Sequence, residues 1–515
     1  MSIAESAAVP AGGAGEGRLH RRALGTWDLV FFIVAASAPL TAVAGGQAAT
    51  YLVTGNMGIP FLFIPLAAVL GVFAVGYAAM SHYVADAGAF YTYVARGLGK
   101  IPAVGTAFVA LVSYNAMQMG IYGLFGVAFG AFMADKVGIT LEWYWWCLIG
   151  GGIVAVLGML QVDLNARVLA LLLILEVIVV AIFDFAVLAD PGPEGITFLG
   201  FSPSEATGTA LGAALTFCVA SFVGFESAAI YSEECKDPKR TVARATLIGV
   251  AIIGGFYAIS SWLLANSVGP HTMVNPEALM RAGFTTPDGA APDPTTVLIG
   301  AGGDRLGAFW ADSASLLFAT SLFAAVLAFH NAVARYFFAL GRERVFPAAF
   351  AKVSPRTGAP YVGSIVQSLL ALVVIGWFAL ADKDPVLHLF TWLTNLGALG
   401  VLLLMAVTSF AVVAFFAKRP EIQARTGAWR TRIAPAIAGV CLIGMLILGL
   451  SNFNVLITSM IDAPTDDMTI VLPAILFGGG IVGLLLGAWL KSARPQVFAQ
   501  IGEQSPEEEL EAKGA

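Results

Sequence analysis

The polar positions of this chain are gathered between long, evenly apolar runs. A bilayer-crossing helix needs roughly 20 mostly apolar residues. Twelve segments meet that test, at about 27–53, 58–81, 104–133, 144–161, 166–189, 208–232, 242–266, 307–337, 361–381, 387–417, 434–452 and 469–490. They are numbered segments 1 to 12 below. They are too long and too evenly apolar for the strands of a β-barrel. The predicted fold class is an all-α integral membrane protein with twelve transmembrane helices.

Composition agrees. The 515 residues are 58% hydrophobic and only 12% charged, where a soluble protein carries about 25% charged residues. So few charges cannot cover a water-soluble surface of this size. A soluble enzyme, a disordered scaffold and a nucleic-acid binder are excluded as first readings. The 57 glycines point to close helix packing in the bilayer. Cys147, Cys218, Cys235 and Cys441 form no CxxC pair, and no Cys/His cluster has metal spacing. No cofactor, metal or catalytic residue is expected. Arg18, Arg21 and Arg22 precede an apolar run that exceeds signal-peptide length, so that run reads as a first span.

Charge then orients the segments. With the N-terminus inside, 23 of the 27 basic residues fall in cytoplasmic stretches. The outside loops hold only Lys136, Arg281, Arg305 and Lys383. The excess of inside positive charge predicts both termini in the cytoplasm of a multi-pass plasma-membrane protein. The longest outside connection, 267–306, contains a helix-like stretch at Pro276–Arg281. It is expected either to fold over a vestibule or to be a plain solvated loop.

Two segments carry helix-breaking or polar residues in mid-membrane. Segment 1 reads Ala36-Ser37-Ala38-Pro39-Leu40-Thr41, and Pro39 lacks the N–H that a helix interior needs. Segment 6 reads Ser221-Phe222-Val223-Gly224-Phe225-Glu226. Interrupted helices at corresponding points of two halves are the best sequence pointer to a transporter's binding site. Freed N–H groups can hold a substrate carboxylate, and freed carbonyls can hold an ammonium group. The alternative is a proline kink plus a glycine packing contact.

Three motifs carry a resemblance. They are Phe222-Val-Gly-Phe-Glu226 followed by Glu233-Glu-Cys-Lys-Asp-Pro-Lys-Arg240; Arg335 … Ala339-Leu-Gly-Arg342 … Phe346-Pro347 with Pro355-Arg-Thr-Gly-Ala-Pro360; and Asp86-Ala-Gly88-Ala-Phe-Tyr91 … Gly97-Leu-Gly-Lys100. In this order they resemble the amino acid–polyamine–organocation (APC) superfamily across segments 1 to 10. The resemblance implies a first inverted repeat over 24–189 (segments 1–5) and a second over 190–418 (segments 6–10), with helices 1 and 6 broken. Two C-terminal helices over 419–492 follow, between cytoplasmic tails 1–23 and 493–515. It also implies alternating access by a secondary transporter. Many relatives carry Gly-Ser-Gly where this chain has Ala36-Ser37-Ala38, and alanine tolerates fewer backbone shapes.

Ionisable groups inside a membrane are costly and usually functional. Apart from Asp28 at the cytoplasmic end of segment 1, four acids fall within the segments: Glu176, Asp184, Glu226 and Asp312. Glu226 matches a family glutamate linked to gating or proton coupling; a structural hydrogen bond is the alternative. Glu176 lies mid-bilayer in segment 5, where some sodium-independent relatives carry a lysine that substitutes for sodium. No Lys or Arg lies in a segment core, so Glu176 is either a proton carrier or a neutral structural acid. Asp184 and Asp312, near outer ends, are expected to be solvated or capping. Sodium coupling needs segment 8 hydroxyls facing segment 1, and only Thr320 and Ser321 are near enough.

Tyr114, Gln118 and Tyr122 share one face of segment 3 at i, i+4, i+8 and either line the pocket or bond neighbouring helices. The resemblance makes Phe222 and Phe225 candidate gates. Thr394 and Asn395 are further pocket candidates, and His330 reads as structural. The expected substrate-binding set is Ala36 to Thr41, Tyr114, Gln118 and Ser221 to Phe225, with Glu226 and Glu176 for coupling or gating. The expected partners are a small amino acid or amine, a proton or counter-substrate, and the bilayer. Polyamine or cationic amine transport is the nearest alternative, because the buried ionisable groups are acidic. A transporter-like nutrient sensor would need a large appended domain. A membrane enzyme would need clustered catalytic residues, and His20, His82, His271, His330 and His388 are scattered.

Overall fold

The computed structural model describes residues 24–84, 90–160, 162–208, 210–226, 235, 238–285, 289, 291–460 and 463–502. The N-terminal tail, the C-terminal tail beyond residue 502, Asp86 to Gly88, and Glu233 and Glu234 lie outside the described residues, and of Ala36 only the backbone is described. The described residues contain helices, turns and two isolated bridges, Leu24 to Cys235 and Thr285 to Pro292, and no strand.

Eight helices are long and apolar enough to cross a membrane: Ile59–Ser81, Lys100–Lys136, Arg240–Val268, Ala308–Arg342, Tyr361–Leu380, Pro385–Ala417, Trp429–Ser451 and Met468–Ala493. They coincide with segments 2, 3 and 7 to 12. Segment 4 is the shorter apolar helix Trp143–Leu157, and segment 5 is Val162–Ala189. Segments 1 and 6 are interrupted, as described below. Segments 3 and 8 run several residues past their expected ends, so their last turns project beyond the apolar runs.

Local chemistry explains where segment 10 begins. Pro385 sits in the first turn, where its missing N–H is no loss. Asp384 Oδ1 accepts from the amides of Val386 and Leu387 at 2.8 and 2.7 Å, satisfying two donors with no intrahelical partner. Segment 10 then lies against segment 3 with almost no gap. A β-carbon on Gly120 would come within 2.8 Å of the Thr394 methyl, and one on Gly123 within 2.5 Å of the Pro385 carbonyl. Small residues let helix backbones approach this closely in a membrane.

The 267–306 connection is built, not open. It contains helices Pro270–Met273, Pro276–Arg281 and Val297–Leu306. The Asn275 side chain caps the second by accepting from the Ala278 amide at 3.0 Å. The third packs against the second half of segment 1, at Thr41–Gln47.

Candidate functional site

Segment 1 starts as an α-helix, Thr26–Ser37, and breaks at Ala38. Ala38 adopts φ 47°, the left-handed region that is unfavourable for a residue with a β-carbon. Beyond Pro39 the chain resumes as a π-helix, Thr41–Gln47, and an α-helix, Ala48–Thr54. Tyr257 of segment 7 donates to the Ser37 carbonyl at 2.8 Å and lies 3.1 Å from its hydroxyl. The break is thus pinned from the segment 7 side.

The amides just after the break face segments 5 and 8. The Thr41 N–H and hydroxyl donate to Ser321 Oγ at 3.3 and 3.0 Å. Ser321 in turn donates to Glu176 Oε2 at 2.6 Å. Glu176, 2% exposed, therefore stands at the N-terminal end of the second half-helix, where negative charge is favoured. The amides here were expected to meet a substrate carboxylate; in this structure the Thr41 amide meets Ser321, which bonds Glu176. Ser321 is also the segment 8 hydroxyl that faces segment 1.

Segment 6 runs as a helix from Leu211 to Phe222 and ends there. Val223 is extended (φ −58°, ψ 128°) and Gly224 has φ 112°, which only glycine adopts without strain. Glu226 closes the break. Its Oε2 accepts from the Gly224 amide at 3.0 Å, and its Oε1 accepts from the Tyr114 hydroxyl of segment 3 at 2.6 Å. The Tyr77 hydroxyl donates to the Glu226 carbonyl at 3.2 Å. One buried carboxylate thereby joins segments 3 and 6 and satisfies an amide released by the interruption.

Between the two breaks lies a cavity. Segment 1 contributes Ser37, Ala38 and Thr41, and segment 6 contributes Phe217, Ala220 and Ser221. Met117 and Ile121 of segment 3, Phe329 of segment 8, and Phe390 and Thr394 of segment 10 complete most of the wall. Four hydroxyls line it, and none of its lining side chains is charged.

The expected residues divide accordingly. Ser37, Ala38, Thr41 and Ser221 line the cavity, as does Thr394. Pro39, Leu40, Val223 and Gly224 shape the breaks without lining it. Phe222 packs on Phe63 and Tyr257, with ring centroids 6.0 and 6.5 Å apart, and Phe225 packs edge-on against Phe73 at 6.0 Å. Neither phenylalanine stands over the cavity here. Tyr114 is committed to Glu226. Gln118 accepts from Gln367 and lies 3.4 Å from His330 Nδ1, while His330 Nε2 lies 2.7 Å from Ser364 Oγ. The polar face of segment 3 thus bonds other helices, and the cavity wall is the adjoining Met117–Ile121 face.

Asp184 also departs from expectation. It is buried, and Ser260 of segment 7 donates to its Oδ2 at 2.7 Å. Asp312 is half-exposed and pairs with Lys136 at 2.6 Å, joining the start of segment 8 to the end of segment 3. Sequence reasoning missed Met117, Ile121, Phe217, Phe329 and Phe390. The i, i+4 spacing of Met117 and Ile121 was readable, but nothing marked that face over its polar neighbour.

The sequence profile of a family described as "Amino acid permease" matches residues 24–479. The chain is similar to Cationic amino acid transporter 7, chloroplastic, of Arabidopsis thaliana, at 28% identity over 42% of this chain and 32% of that protein. It is similar to the Methylthioribose transporter of Bacillus subtilis (strain 168), at 26% identity over 47% of this chain and 46% of that protein. It is also similar to the Low-affinity putrescine importer PlaP of Escherichia coli (strain K12), at 30% identity over 35% of this chain and 34% of that protein. Each match spans less than half the length of the curated relative.

Proposed function

The chain belongs to the amino acid permease family, and from that premise we propose that it is a secondary active transporter for a neutral amino acid. The observation that carries this reading is the cavity between the two interrupted helices, lined by Ser37, Thr41, Ser221 and Thr394 hydroxyls and by no charged side chain. A zwitterion needs dipoles for both ends and no fixed counter-charge. An uncompensated cation in such a pocket would lose its hydration without gaining a partner. The apolar part of the wall suits an aliphatic or small aromatic side chain.

Twelve membrane helices form the transporter, with inverted repeats over 24–189 and 190–418, two further helices over 419–492, and both tails in the cytoplasm. The protein acts at the plasma membrane. Substrate enters between segments 1 and 6, and segments 3, 8 and 10 bound it. The carboxylate is held at the Ser37–Thr41 break once the Thr41 amide turns from Ser321. The amino group is held by carbonyls near Ser221–Gly224. Glu176 and Glu226, each at one break, handle the coupling proton or the gating step.

A second reading, transport of a cationic amine, is favoured by the names of two relatives, the cationic amino acid transporter and the putrescine importer. It would require Glu226 or Glu176 to turn into the cavity. A thermal-shift screen of the purified protein against amino acids and polyamines separates the two, because a true ligand stabilises the folded state. Stabilisation by neutral amino acids, with saturable uptake into proteoliposomes, supports the first reading. Stabilisation only by putrescine or lysine would replace it with the second.

A further inference from the structure

A larger cavity lies where the ends of segments 2, 7 and 11 meet. Its two halves differ in chemistry. Val75, Ala78 and Ala79 of segment 2 and Leu247 of segment 7 make an apolar wall. Arg240, Arg244 and Arg430 converge at the other end, beside His82. No acidic residue lines it among the described residues. The Tyr83 hydroxyl, 3.2 Å from Thr426 Oγ1, ties the rim of segment 2 to the helix that precedes segment 11.

The arginines are poorly placed for fold stability. Arg240 and Arg244 stand one turn apart in the opening turns of helix Pro238–Val268, and Arg430 stands in the opening turn of segment 11. Helix N-terminal ends carry partial positive charge, so a cation there is unfavourable and an anion favourable. Arg244 and Arg430, which pair with no acidic residue among the described residues, favour an anion in the cavity they share.

Depth identifies which anion. Trp429 is 52% exposed, and Ile433, Ile437 and Val440 continue an exposed apolar stripe along segment 11. Exposed tryptophan next to such a stripe marks the headgroup level of a bilayer. Leu247, also exposed, lies one turn deeper than Arg244. Phosphate at the arginines and a hydrocarbon chain along Leu247 and Val75 match the two halves of the cavity. Basic pockets between transmembrane helices bind anionic headgroups in this way. We propose that this cavity is a binding site for the phosphate headgroup of an anionic phospholipid, with an acyl chain on its apolar wall. A soluble phosphate shares the charge but leaves the apolar half empty.

The test uses the purified full chain in detergent, with bound lipid read by native mass spectrometry. Phosphatidylglycerol should bind at least tenfold more tightly than phosphatidylcholine with the same acyl chains. The double variant Arg244→Gln/Arg430→Gln should lose about fivefold in phosphatidylglycerol affinity per arginine removed. Both side chains are exposed, so the variant should elute and melt like the parent in detergent alone. The control Arg425→Gln/Arg432→Gln removes two exposed arginines nearby that do not line the cavity and should bind phosphatidylglycerol like the parent. Equal retention of the two lipids would overturn the proposal. So would unchanged binding in Arg244→Gln/Arg430→Gln, or equal loss in the control. Inorganic phosphate that binds as tightly as phosphatidylglycerol and displaces it would assign the site to a soluble anion instead.

Discussion

The carboxylate of Glu226 offers a sharp test because its two oxygens do separate jobs. Oε1 accepts from Tyr114 at 2.6 Å and Oε2 from the Gly224 amide at 3.0 Å, both buried. Glu226→Ala removes both acceptors and strands two donors. Each buried unsatisfied group costs about 1–3 kcal/mol, so the loss should be about 2–6 kcal/mol. Glu226→Gln keeps the shape. Its carbonyl can take the Gly224 amide, and its NH₂ can donate to the Tyr114 oxygen once that hydroxyl rotates. Its stability should stay within about 1 kcal/mol of the parent. Thermal unfolding of purified protein in detergent measures the gap, and proteoliposome uptake measures the consequence. The glutamine variant should fold well and transport poorly. Equal melting of the alanine and glutamine variants would refute the claim that this carboxylate holds the segment 6 break. Normal uptake by the glutamine variant would remove its charge from the mechanism.

Four further outcomes are expected. Ala38→Gly relieves about 1–2 kcal/mol of left-handed strain and loses about 0.5–1 kcal/mol to added chain entropy. It should raise the melting temperature slightly, and a fall would count against strain at that residue. Gly46 lines the cavity, and a β-carbon there meets nothing within 4 Å; Gly46→Ala should therefore melt like the parent yet raise the KM for bulky amino acids more than for small ones in uptake assays. Glu176→Gln should flatten the pH dependence of uptake, and replacing sodium in the parent should leave uptake unchanged; a retained pH profile or strict sodium dependence would break the coupling assignment.

The two interruptions were legible because backbone chemistry announces them. Pro39 lacks a donor, and Gly224 takes a φ closed to other residues. The sequence did not reveal that Ala38 would take the left-handed turn, because alanine's preferences argue against it and tertiary contacts such as Tyr257 on Ser37 override them. The orientation of segment 3 was also hidden. Tyr114 and Gln118 are polar and were credited to a pocket, but their partners, Glu226 and Gln367, stand 112 and 249 residues away. No local pattern connects them. The same distance problem concealed Ser260 beside Asp184. Phe217, Phe329 and Phe390 are three of 35 phenylalanines, and only the fold tells cavity wall from packing.

The close seam at Gly120 and Gly123 bears on how the cavity can open. Thr394 belongs to both surfaces: its methyl fills the space above Gly120, and its residue lines the cavity. Any sliding of segment 10 along segment 3 would drive a backbone carbonyl or this methyl into the glycine backbone. The two helices are therefore a fixed jamb. On the proposed transport cycle the hinge would belong on the opposite side, where segments 1 and 6 have already surrendered their helical continuity and need break few further backbone hydrogen bonds to swing.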